Sequence, residues 1–231
     1  MADLVEMTGV AAMTVRRDLD ELEARGALRR VHGGAVAAGL RGEHLPYAVR
    51  LDSFAAEKVA IARAAAALVP EGASVIVDNG STCTAVAREL AGRDLTVLAM
   101  SVHVAAALGQ RPGTRILTPG GALDPGELAW VGAGALEALR DFRADLAILG
   151  VCAWDLESGV VSTAPGDVAL KRAIVASARR TVAVATPDKF ARPATFAVCP
   201  NAAVDAVVTT RRTEALERAF DPDGPDVVEA A

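Results

Sequence analysis

Between Ala56 and about Thr210 the chain repeats one pattern, a short apolar run followed by a stretch of helical periodicity. The apolar runs fall at Ser74–Val77, Thr96–Leu98, Arg115–Leu117, Leu146–Leu149, Thr181–Ala185 and Ala206–Val208. Runs this short and this continuously apolar predict strands buried on both faces. Strands separated by helices return by crossovers, so the six of them predict a mostly parallel sheet with helices on both sides, an α/β fold. Glu57–Leu68 and Thr84–Leu90 are the first helices of that series. Only 3% of the 231 residues are aromatic, so the core has to be built from Ala, Val, Leu and Ile.

The first forty residues follow a different rule. Ala2–Glu6 predicts a short helix, Thr8-Gly9 a turn, and Ala12–Ala24 a second helix with Val15, Leu19 and Leu22 on one face. Gly26 ends it. Ala27–Val31 and Ala35–Ala37 then flank His32-Gly33-Gly34, the pattern of a β-hairpin. Gly39–Ser53 carries Gly, Pro and charge without periodicity. The expected division is a head segment at 1–38, a linker at 39–55, an α/β domain at 56–220 and a frayed tail at 221–231. No internal repeat is visible.

The net charge of −5 argues against a protein that is basic throughout. The local balance is different: RGALRRVHGG, from Arg25 to Gly34, has three arginines, one histidine and no acid, and the field at a contact surface matters more than the total. A short helix, a tight turn and a second helix bearing Arg16-Arg17 suit helix-turn-helix docking, in which the second helix enters the major groove. Arginine there pairs with guanine or neutralises phosphate. Spacing alone leaves a second explanation standing, a solvated helix whose arginines pair with Asp18, Asp20 and Glu21.

In the larger domain the informative stretch is VIVDNGST, Val75 to Thr82: strand, small polar loop, helix start. Such a loop presents backbone N–H groups and a helix dipole to an anion, with Gly80 free to take a positive φ. On spacing alone a plain helix cap, favoured by Ser and Thr, is the preferred explanation. Lysine is scarce, with Lys58, Lys171 and Lys189 the only three; Lys58, near the linker, is expected to be a solvated helix charge.

Other chemistries find no support. There is no GxSxG, no GxxxxGK[ST] and no GxGxxG. His32, His44 and His103 do not fall with cysteines at metal-ligand spacing, so neither a metal nor a cofactor is expected. Cys83, Cys152 and Cys199 are odd in number and outside any CxxC pattern, as for buried thiols in a reducing cytoplasm. No apolar run approaches the roughly 18 residues of a membrane span, and MADLVEMTGV lacks the layout of a secretory signal.

MTVRRDLDELEARGALRRVHGGAV, Met13 to Val36, closely resembles the signature of the DeoR family of bacterial transcription regulators. That signature is a recognition helix with a Met-Thr-(Ile/Val)-Arg-Arg-Asp-Leu core, then a wing reading Arg-Val-His-Gly-Gly-Ala. The resemblance implies that Thr14, Arg16 and Arg17 belong to the recognition helix and Arg29, Arg30 and His32 to the wing, with operator DNA as partner. Family members carry a further helix ahead of this point, so the winged-helix segment is expected to be truncated. The family's second domain resembles the Rossmann-like sheet of sugar-phosphate isomerases such as ribose-5-phosphate isomerase, and residues 46–210 are similar to it. By resemblance Asp78, Asn79, Gly80, Ser81 and Thr82 hold the phosphate of a phosphorylated sugar effector. Ser101, Gly120, Gly121, Asp155, Lys171 and Lys189 fall at other matching positions. Cys152-Ala153 replaces a frequent Asp-Gly, Asp167 a usual Glu and Thr186 a common Asp, so the sugar-facing side departs from the pattern. The resemblance implies a cytoplasmic, homo-oligomeric repressor of a carbohydrate operon that is not an enzyme. The alternative is a sugar-phosphate isomerase or deaminase, whose base would be a carboxylate such as Asp155 or Glu157.

Overall fold

In the computed structural model the apolar runs lie side by side as one sheet. The structure describes residues 2–24, 28–31, 34–37, 46–191, 194–220 and 224–231. The head segment begins with α1 (Ala2–Thr8) and α2 (Ala12–Ala24), and the hairpin β1 (Leu28–Val31) with β2 (Gly34–Ala37) follows. Gly9, at φ 69°, turns the chain between the helices, its N–H on the Val5 carbonyl at 2.9 Å. In α2, Val15 and Leu19 are buried one turn apart, while Thr14, Arg16 and Arg17 face outward. Leu22, expected on the inner face, is 36% exposed.

The hairpin pairs Leu28 with Ala37 and Val31 with Gly34. His32 and the side chains of Arg29 and Arg30 lie outside the described residues.

The α/β unit opens with α3 (Tyr47–Asp52) and α4 (Ala55–Ala67). It continues through β3 (Ser74–Val77), α5 (Ser81–Leu90), β4 (Thr96–Ala99), α6 (Val102–Leu108) and β5 (Arg115–Leu117). A small hairpin, β6 (Ala122–Leu123) and β7 (Trp130–Val131), leads to α7 (Ala133–Asp141) and β8 (Leu146–Gly150). Then come β9 (Ala153–Asp155), β10 (Gly159–Ser162), α8 (Pro165–Ser177), β11 (Thr181–Val184), β12 (Phe196–Cys199), β13 (Ala206–Thr209), α9 (Glu214–Phe220) and β14 (Asp226–Glu229).

Seven strands form the main sheet in the order β14-β13-β11-β8-β3-β4-β5, and every pairing is parallel. Alternate residues serve opposite cores: Val75, Val77, Leu146 and Ile148 enter one cluster, Ile76, Ala147 and Leu149 the other. This two-sided burial is why the strands read as unbroken apolar runs rather than alternating ones. A separate antiparallel sheet, β12-β10-β9, stands beside α8.

Two expectations are corrected. The stretch expected as linker contains α3, a helix of 6 residues that is too short to declare a period; it is held by its side chains instead. The tail expected to fray contains β14, which pairs in register with β13 from Asp226 to Glu229. Val227 and Val228 alone give it an apolar signal, and its edge position needs no more. No helix among the described residues is long and apolar enough to cross a membrane.

Candidate functional site

The strand order reverses beside β3. From β3 the chain runs outward through β4 and β5, then returns to β8 and builds the other half of the sheet. At such a point the loops leaving the carboxyl ends of neighbouring strands diverge and open a crevice. Here the crevice is a cavity of about 540 Å³. Residues 78–83 after β3, residues 150–152 at the end of β8, Asp167 and Lys171 on α8, and Lys189 after β11 form its walls. Two segments cover it: α3 with the adjoining Ser53 and Phe54, and the loop of the β6–β7 hairpin.

A buried charge cluster forms the floor. The side chains of Lys171 and Asp78 are 2% and 3% exposed and paired. The Lys171 Nζ also donates to the Gly150 carbonyl at 2.8 Å and has Asp167 Oδ1 at 3.5 Å. Asp78 accepts further bonds from the backbone N–H of Asn79 at 2.8 Å and of Gly150 at 3.0 Å. Burial pushes the Lys171 ammonium towards losing its proton, but the carboxylates of Asp167 and Asp78 outweigh it and hold the group well above its usual range. Burial raises the Asp78 carboxyl against the pull of Lys171. Gly150 makes the cluster possible: a Cβ there would stand 2.7 Å from the Asn79 carbonyl oxygen and 3.1 Å from Cys83 Sγ, so any side chain would force β8 away from the loop.

Above the floor, α5 points its N-terminus into the cavity. Gly80 is its N-cap at φ 103° and ψ 163°, and no side chain caps the helix. The hydroxyls expected to do so are engaged elsewhere or placed within the first turn. Ser81 Oγ donates to the Arg50 carbonyl at 3.3 Å and Thr84 Oγ1 to the Gly80 carbonyl at 2.9 Å. Plain side-chain capping therefore does not account for this loop.

The covering helix α3 is moored to the same place. The Tyr47 hydroxyl donates to Thr84 Oγ1 at 3.0 Å, and its ring stacks on His103 with centroids 3.9 Å apart. Arg50 pairs with Glu127 of the hairpin loop. Glu127 is positioned by Asp124, whose Oδ1 accepts the Glu127 N–H at 2.8 Å.

Lys58 was expected to be solvated, and here the structure corrects the sequence: it is 7% exposed and lines the cavity. Its ammonium donates to the Ser53 carbonyl at 2.6 Å and to that of Arg50, tying the end of α3 to α4. Burial first, then Lys189 and Arg50, lowers its pKa to about 8 from 10.5. Between those two pH values the unfolded chain keeps a proton that the folded chain has released, so this group makes stability rise with pH through that window. Thermal melts from pH 7.5 to 10.5 should show a Lys58→Met variant lacking that component of the slope. Parallel curves for the two proteins would contradict the burial of the ammonium.

The remaining residues singled out from the sequence divide cleanly. Lys189 lies on the cavity wall beside Asp188, at 3.4 Å. Ser101 is wholly buried as the N-cap of α6, accepting the Val104 N–H at 3.2 Å, and does not line the cavity. Gly120 and Gly121, at φ 72° and 87°, turn the chain from β5 towards β6 and also stand outside it. Asp155 closes the exposed β9–β10 turn, its Oδ1 accepting from the N–H groups of Glu157 at 3.1 Å and Ser158 at 2.8 Å; these bonds hold its pKa below the usual value. Arg50, Glu127 and Gly150 carried no motif that could have marked them.

Residues 1–39 match the model of the DeoR-like helix-turn-helix domain, and residues 53–211 that of the DeoR C-terminal sensor domain. The chain belongs to the DeoR family of transcriptional regulators. It is 36% identical over 195 residues to the glycerol-3-phosphate regulon repressor of Haemophilus influenzae, covering 83% of this chain and 75% of that one. The transcriptional repressor AccR of Agrobacterium fabrum is 32% identical, with 92% and 83% covered. The HTH-type transcriptional repressor GlcR of Bacillus subtilis is 30% identical, with 87% and 78% covered. Among solved structures, ribose-5-phosphate isomerase A of Methanocaldococcus jannaschii overlaps 59% of this chain and 55% of its own, at 17% identity and a TM-score of 0.44. As a DeoR-family member the protein is a DNA-binding transcriptional regulator, and the cavity is walled mostly by residues of its sensor domain.

Proposed function

We propose that the protein is a repressor of a carbohydrate operon whose hold on DNA is modulated by a phosphorylated sugar, bound in the cavity with its phosphate at residues 78–82. The observation that carries this is the uncapped N-terminus of α5, which opens into a cavity of about 540 Å³ at the switch point of the sheet. Backbone N–H groups at a helix N-terminus suit a phosphate, and the cavity has room for a small sugar beyond it. The relatives' names, a glycerol-3-phosphate regulon repressor among them, support the same reading. Asp155 and Glu157, the carboxylates weighed as candidate bases, stand on an exposed turn away from the cavity. Of those that line it, Asp78 and Asp167 face Lys171, Glu127 pairs with Arg50 and Asp188 with Lys189, which supports a sensor. Paired half-sites call for a symmetric homo-oligomer.

The test is calorimetric titration of glycerol 3-phosphate, ribose 5-phosphate and glucose 6-phosphate, with the unphosphorylated sugars as controls. Ser81→Asp places a fixed carboxylate in the first turn of α5, where the helix dipole tolerates it and a phosphate dianion would be repelled. The expected result is saturable binding of a phosphorylated compound, at least tenfold weaker in the variant and absent for its free sugar. Equal binding of phosphorylated and free sugars, or no change in the variant, overturns the assignment.

A further inference from the structure

Of the two lysines at family-matched positions, Lys171 has its charge matched by Asp78 and Asp167 beneath the loop, and Lys189 is paired with Asp188. The guanidinium that stands over the loop belongs to Arg50: its Nη1 lies 3.7 Å from where a Cβ on Gly80 would be. Arg50 is only 14% exposed, and its Nη2 donates to both carboxylate oxygens of Glu127, itself 24% exposed. A carboxylate and a phosphate compete for the same donor fork of a guanidinium. The two segments that bring this pair together are also the two places where the described backbone holds a non-glycine residue at positive φ. Phe54, at 55°, follows α3, and Leu128, at 47°, follows Glu127. Such strain persists only where surrounding contacts impose it, and it collects at ligand clamps and switches.

From this geometry we propose that Arg50 is a phosphate-binding residue of the sensor and that Glu127 is its built-in competitor. The incoming phosphate takes the guanidinium from the Glu127 carboxylate and so uncouples the hairpin loop from α3. The proposal rests on the phosphate lying at residues 78–82. It adds a residue from outside the loop, on the segment that precedes the sensor sheet, and a reason for ligand binding to change the cavity's cover.

The experiment uses the intact chain, with inorganic phosphate and glycerol 3-phosphate as probes and the fluorescence of Trp130, which lines the cavity, as one readout beside calorimetry. Glu127→Gln removes the competing charge and keeps the side chain's size; affinity for both probes should rise about three- to tenfold, against a roughly tenfold or larger loss in Arg50→Gln, the size of one charge-assisted hydrogen bond. A gain of affinity cannot come from a damaged fold, so Glu127→Gln decides even if Arg50→Gln is unstable. Unchanged affinity in Glu127→Gln, with Ser81→Asp still abolishing binding, overturns the exchange while leaving the loop assignment intact. Failure of Ser81→Asp to weaken binding removes the loop assignment, and the exchange with it.

Discussion

Lys171→Met should lower the stability of the fold by about 3–5 kcal/mol, the range found when one partner of a buried ion pair is removed. Against the 5–15 kcal/mol by which ordinary domains are stable, that brings the sensor close to unfolding. The effect is large because the variant leaves charge behind rather than merely losing attraction. Asp78 stays 3% exposed with its counter-ion gone, and Asp167 stays close by. Its remaining donors, the N–H groups of Asn79 and Gly150, satisfy the carboxylate's hydrogen bonds but not its charge. Urea unfolding followed by circular dichroism measures this directly, and two controls give it meaning. The double variant Asp78→Asn, Lys171→Met should recover much of the loss, since neither charge is then stranded. Arg212→Met, which breaks a pair whose side chains are 51% and 46% exposed, should cost about 1 kcal/mol or less. A Lys171→Met protein as stable as the Arg212→Met control would mean that the floor of the cavity is wet.

Arg16→Ala and Arg17→Ala should each weaken operator binding by about 1–3 kcal/mol if the lost contact is to a base edge, and relax specificity at one position. A lost phosphate contact should instead weaken all sequences alike and reduce the slope of log K against log salt by about 0.9. Both side chains face outward from α2 while Val15 and Leu19 hold the helix from behind, so neither substitution disturbs packing. Were these arginines present only for intrahelical pairing with Asp20 or Glu21, the cost would be a few tenths of a kcal/mol of helix stability and DNA affinity would not move. Anisotropy titrations on the protein's own promoter DNA and on a scrambled duplex, each at two salt concentrations, separate the three cases. Wild-type affinity in both variants at both concentrations would remove α2 as the reading helix.

The sheet was legible because burial on both faces leaves a contiguous mark. Val75-Ile76-Val77 and Leu146-Ala147-Ile148-Leu149 declare themselves with no knowledge of their neighbours. The loop after β3 was legible as a cavity wall as well, since Asp78 to Thr82 are consecutive. What was missed depends on contacts between distant parts of the chain. Arg50 and Glu127 are 77 residues apart, and neither sits in a recognisable run. Lys58 reads as a surface lysine on an alanine-rich helix, and only the fold-back of α3 buries it. Gly150 ends a strand in an unremarkable way until the loop after β3 is laid 2.7 Å from its missing Cβ. Ser101, Gly120, Gly121 and Asp155 fell at matching positions, and the structure places them in a helix cap, a turn and a hairpin outside the cavity walls. The short helix α3 and the edge strand β14 escaped notice because tertiary contacts rather than local pattern hold them.

The matched charges beneath the loop also say something about which molecules a sensor of this design can ignore. With Lys171 committed to Asp78 and Asp167, the floor adds little net charge to the field of the α5 N-terminus, and the guanidinium beside that N-terminus is the one on the cover. An uncharged sugar carries nothing that competes with the Glu127 carboxylate for the guanidinium, so it leaves the Arg50–Glu127 clasp closed. A phosphorylated one could not bind tightly without disturbing it. Discrimination between a nutrient and its phosphorylated form would then come from the need to break an existing bond, and not from a pocket that merely fits one shape better than another.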